Sequence, residues 1–69
     1  MKKTYVANGK VLAVFVEIKG EKTTKRYLAY FNQLTGEKLE MKRISKVNGN
    51  EAFKKLIEKG YRKIKVEVA

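Results

Sequence analysis

The longest apolar stretch of the chain is Val11-Leu12-Ala13-Val14-Phe15-Val16-Glu17-Ile18. It is rich in β-branched residues and lies between two turn signals, Asn8-Gly9 before it and Gly20-Glu21-Lys22-Thr23 after it. A run this short, bounded in this way, reads as a central strand. Lys3 to Ala7 alternates and forms a strand before it, joined through a two-residue Asn8-Gly9 turn. Both turn residues tolerate the positive φ that a type I′ hairpin demands. That turn sets Ala7 against Lys10, Val6 against Val11 and Tyr5 against Leu12. A four-residue loop at Gly20–Thr23 then places Val16 opposite Tyr27, in a third strand reaching Asn32. Leu34-Thr35-Gly36-Glu37 is a further turn, with Gly36 at the positive-φ position, and Lys38 to Ser45 is a fourth strand.

The period then changes from two to about 3.6. Val47-Asn48-Gly49 reads as a loop and Asn50 as a helix N-cap, with Glu51 in the first turn. Phe53, Leu56 and Ile57 share one helical face, and Lys54, Lys55, Glu58 and Lys59 take the other. Gly60 suits the position just past the helix, where Tyr61 can fold back onto Leu56 in a Schellman motif. Ile64, Val66 and Val68 alternate with Lys63, Lys65 and Glu67, which predicts a fifth strand. The whole is a single α+β domain over residues 1–69, ββββαβ. Its sheet is five-stranded and mainly antiparallel, with one helix packed on one face. The fifth strand runs parallel to the second and fourth and is expected beside the first, in the order 5-1-2-3-4, the alternative being a place beside the fourth or a sheet curled into a partial barrel.

The hairpin registers sort the strand residues into two sets. One holds Tyr5, Leu12, Val14, Val16, Ile18, Tyr27, Ala29, Phe31, Leu39 and Met41, and is almost free of charge. It is expected to be the core, under Phe53, Leu56 and Ile57. The other holds Thr4, Val6, Val11, Ala13, Phe15, Glu17, Arg26, Leu28, Tyr30, Asn32, Glu40, Lys42 and Ile44. One helix covers one face, so this second set is expected to lie open, with Glu17 and Arg26 as a cross-strand pair.

Charge narrows the range of partners. Seventeen Lys and Arg stand against seven acids, all of them Glu, for a net charge of +10. Such a balance favours an anionic partner. A lysine-rich solvated surface accounts for the same count, and fourteen of the seventeen cations are Lys. No stretch approaches the roughly 18 apolar residues of a membrane span, and Met1-Lys2-Lys3-Thr4 leads into strand alternation without the apolar block of a signal peptide. The expected setting is the cytoplasm.

The chain has no Cys, His or Asp, and Ser45 is its one serine. A nucleophile would have no imidazole to activate it, and a metal would find only scattered glutamates. No catalytic residue, metal ligand or cofactor site is therefore assigned, and a binding module is expected in place of an enzyme.

The apolar and aromatic centre of the second set, with cations around it, is the candidate site. Aromatic rings stack on bases, and Arg and Lys hold phosphates. Phe15, Arg26, Leu28, Tyr30 and Lys42, with Arg43 and Lys46 nearby, are the candidate nucleic-acid-binding residues, for DNA or RNA. The same residues would also suit a second core inside a curled sheet, a homodimer seam, or a phage or mobile-element module docking on an acidic protein. An idealised scaffold without a partner fits as well. The lysines of the fourth strand have a further use if that strand is an edge, where they oppose aggregation.

Overall fold

The computed structural model describes residues 2–64. Its elements are β1 (Lys2–Ala7), β2 (Val11–Lys19), β3 (Thr24–Asn32), β4 (Lys38–Arg43), α1 (Lys46–Glu58) and β5 (Arg62–Ile64). One sheet holds all five strands in the order β4-β3-β2-β1-β5, with every neighbouring pair antiparallel. The fold class is the one predicted, and the fifth strand takes the first of its two expected places, antiparallel to β1. The stretch expected to carry the fifth strand on to Val68 lies outside the described residues.

The second hairpin has the predicted register, with Val16 opposite Tyr27 and Glu17 opposite Arg26. The first hairpin is corrected. Ala7 faces Leu12, Val6 faces Ala13 and Tyr5 faces Val14. Only Gly9 takes the positive φ there, at 93°, and Asn8 stays at negative φ. The Asn8 carboxamide oxygen instead accepts from the Lys10 and Val11 N–H groups, at 2.9 and 2.8 Å, and draws the turn one residue further along. The strand pairing moves by two positions, so each side chain keeps its face.

The helix is also corrected at its start. It begins five residues before the expected first turn, with Ser45 as N-cap. The Ser45 hydroxyl oxygen accepts the Asn48 N–H at 3.1 Å, so Ser45 leaves the fourth strand, which ends at Arg43. Val47, Asn48 and Gly49 are helical. Weak propensity is overridden here by packing: the first turns lie close to Ile44, and a Cβ at Gly49 would stand 3.2 Å from the Ile44 Cδ1. The end of the helix is as predicted. The N–H of Tyr61 donates to the Leu56 carbonyl at 3.0 Å and that of Gly60 to Ile57 at 3.1 Å, with Gly60 at φ 99°. That double bond pattern is the Schellman motif.

The main correction concerns which face the helix covers. The core consists of Val6, Ala13, Leu28 and Leu56, with Phe15, Tyr30, Ile44, Ala52, Phe53 and Tyr61 packed around them. The helix thus lies on the set expected to be open, and its Phe53 meets Phe15 edge-on with ring centroids 5.8 Å apart. Chirality supplies the reason. The antiparallel pairings make β4 and β5 parallel to each other, so β4–α1–β5 is a crossover, and crossovers are almost always right-handed. On β3 the Arg26 carbonyl points toward β4, accepting the Ile44 N–H at 3.0 Å. For L-residues that direction fixes the side of the sheet on which Arg26 stands, and a right-handed crossover passes over that same side. No described element covers the more apolar face, and Ile57, expected in the core, is 41% exposed.

Candidate nucleic-acid interface

The observed registers arrange the uncovered face in ladders across the sheet. One runs Arg62, Ala7, Leu12, Phe31, Lys38. The next runs Ile64, Tyr5, Val14, Ala29, Met41. The third runs Lys3, Val16, Tyr27, Arg43, and Ile18 with Lys25 begins a fourth. The centre is apolar and aromatic. Cations stand at both ends of the first and third ladders, and no acid occupies any of these positions.

Val14 and Ala29 form a nearly closed floor at the middle of the face, while Tyr5, Leu12, Val16, Tyr27 and Phe31 are half-buried. Met41, at the β4 end, is 52% exposed. A depression of about 310 Å³ opens between Tyr5, Leu12, Val14 and Phe31, with Lys3 on its rim. A β-bulge at Tyr30/Phe31 sets Lys38 opposite Phe31 and leaves Leu39 as the extra residue of β4, also exposed.

The residues singled out from the sequence do not form this face together. Leu28 is buried in the core, and Phe15 and Tyr30 pack against it under the helix. Their placement on the uncovered face is corrected by the crossover geometry above. Arg26 is on the helix side as well, where its Nε lies 3.3 Å from a Glu17 carboxylate oxygen. Lys42 pairs with Leu28 at the β4 edge, and Lys46 opens the helix; both are exposed, on the helix side of the sheet. Arg43, opposite Tyr27, is the member of the set that reaches the uncovered face.

Tyr30 has a perturbed hydroxyl. Burial raises its pKa above the ordinary 10.0, and the carboxylate of Glu40, its cross-strand partner, and then Tyr61 push in the same direction. It is a core tyrosine with a proton held more tightly than usual, remote from the uncovered face.

Tyr5, Tyr27, Phe31, Lys3, Lys25, Lys38 and Arg62 lie on the uncovered face and are not among the candidates drawn from the sequence. Their common face was legible, because alternation and register group the strand residues correctly. The signal that exposes them is the hand of the crossover, which alternation does not carry.

A second cavity, also about 310 Å³, lies between the first turns of the helix and the sheet, among Phe15, Arg26, Ile44, Gly49 and Phe53. Among the described residues no cluster of three metal-ligating side chains occurs, and no helix is long and apolar enough to cross a membrane. Comparison with protein-family models, curated proteins and solved structures finds no match to this chain.

Proposed function

We propose that this is a small, non-catalytic nucleic-acid-binding domain that uses the sheet face opposite the helix. The observation that carries the reading is the makeup of that face: an apolar, aromatic centre whose charged strand positions, Lys3, Lys25, Lys38, Arg43 and Arg62, are all cationic. Exposed contiguous apolar surface marks interaction sites, and a rim of one sign selects a partner of the other. The same rim disfavours a face-to-face homodimer, which would press cation against cation. An acidic protein is the second reading, favoured by the aliphatic share of the face, Leu12, Val14, Val16 and Met41.

The test is fluorescence anisotropy with labelled oligonucleotides across a salt series. Affinity is expected to fall with salt, with a log–log slope of several units, at roughly 0.7 to 0.9 per phosphate neutralised. Arg43→Gln and Lys3→Gln are each expected to reduce that slope by about that amount, and Lys46→Gln on the helix side to leave it unchanged. Absence of binding at low salt would reject the proposal and favour the acidic protein. An equal loss from Lys46→Gln would reject the assignment of the face.

A further inference from the structure

We infer that the ligand of the uncovered face is single-stranded nucleic acid, held by stacking of unpaired bases on Tyr5, Tyr27 and Phe31. The inference rests on the nucleic-acid reading above and specifies the state of the ligand. All three rings belong to the uncovered face and are half-buried, so each keeps accessible surface above the sheet.

Their spacing suits separate bases. Tyr27 and Phe31 stand four residues apart on β3, about 13 Å at roughly 3.3 Å per residue. Tyr5 lies two strands away on β1, about 10 Å at roughly 4.8 Å per strand. The three rings thus stand at the corners of a triangle, with Val14 low inside it and Ala29 low on its β3 side. Each ring has space for one base, and the floor leaves room between them.

A duplex makes poor use of such a surface. Its base faces are hidden in the stack, so it would engage the rim cations alone and leave the apolar centre against water or phosphate. A single strand presents the base faces and the phosphates together, which an aromatic floor with a cationic rim can meet at once. The face offers few groups for reading base edges: two tyrosine hydroxyls among otherwise apolar central residues. Binding is therefore tolerant of sequence, because every base has a face to stack.

The experiment compares three probes of equal length and label at matched salt: an oligothymidylate, an abasic phosphodiester strand and a duplex. The expected order is oligothymidylate well above abasic strand, by at least tenfold, with the duplex also weaker than the oligothymidylate. Tyr27→Leu and Phe31→Leu keep apolar surface on the face but remove the ring. Each is expected to weaken oligothymidylate binding by roughly 5- to 150-fold and to leave the abasic strand unaffected.

Equal affinity for oligothymidylate and abasic strand would overturn stacking while leaving the nucleic-acid reading intact. Tighter binding to the duplex would also overturn the inference alone. No binding to any of the three would remove the underlying reading. The probe comparison uses the unmodified chain, so it decides the matter even if a leucine variant fails to fold.

Discussion

At the scale of single residues, Tyr30 links burial to a measurable pH dependence. Its hydroxyl proton is held more tightly in the folded chain, through burial first and the Glu40 carboxylate second. Above pH 10 the unfolded chain releases this proton while the folded chain retains it. The folded state then binds more protons, and stability falls as pH rises. The contribution is fully present below the ordinary tyrosine value and is lost as pH climbs through the raised one. Replacing Tyr30 with Phe removes the group and keeps the ring in the core. Denaturant titrations at several pH values above 9 are expected to show a shallower alkaline loss in the variant than in the unmodified chain. Identical slopes would mean that the environment of Tyr30 does not distinguish the two protonation states. The two chains differ at position 30 alone, so the difference between the slopes is the readout.

At the scale of elements, two glycines of the helical region have opposite roles. Gly60 ends the helix at φ 99°, where an L side chain is strained. Gly60→Ala is expected to cost about 1–2 kcal/mol, the penalty of a left-handed residue with a Cβ. Gly49 sits inside the helix, where alanine is favoured over glycine by about 1 kcal/mol. Its new Cβ would meet the Cδ1 of Ile44 at 3.2 Å and its Cγ1 at 3.8 Å, so Ile44, half-buried against the core, must give by a few tenths of an ångström, which sets how much of that gain is kept. Gly49→Ala is expected to raise stability by up to about 1 kcal/mol. Thermal or denaturant melts of the two variants should move in opposite directions, and a loss in both would show that Ile44 is locked in place. The same two residues mark what the sequence discloses at this scale. Gly60 with Tyr61 was legible as a helix end, because a glycine after the last apolar helical position has a local mechanism. Gly49 reads as a loop, because the packing that holds it in the helix is against Ile44, five residues back, across a turn no propensity describes. Ser45 likewise follows the strand alternation, although it is the side chain that caps the helix.

At the scale of the whole molecule, alternation and turn chemistry are enough for the hairpins and for the partition of residues into two faces, and they leave the fifth strand a place beside the first, where it lies, or beside the fourth. They were not enough for the side on which the helix rests. Counting apolar residues selected the wrong face, because the hand of a crossover is a property of the connection and not of either surface. The candidate site changed with it: Phe15, Leu28 and Tyr30 became core, and Tyr5, Tyr27 and Phe31 became surface.

The same scale governs the response to salt. A net charge of +10 on 69 residues destabilises the compact state by self-repulsion. The described residues contain a single ion pair, Arg26 with Glu17, so screening has little attraction to remove. Added sodium chloride, from about 0.05 to 0.3 M, is therefore expected to raise the melting temperature as the screening length shortens to below roughly 10 Å. Over the same range oligonucleotide affinity is expected to fall, because phosphate contacts compete with released counterions. Opposite trends in the two measurements separate the charges that burden the fold from those that hold a ligand. A melting temperature that falls with salt would mean that attractive pairs outweigh the repulsion, and the cationic surface would then have a use within the fold itself. A rising melting temperature with salt-dependent binding would leave the rim cations as a cost to stability, relieved when a polyanion lies across the uncovered face. Excess oligonucleotide at low salt should then raise the melting temperature as well, since a ligand that prefers the folded state stabilises it by mass action.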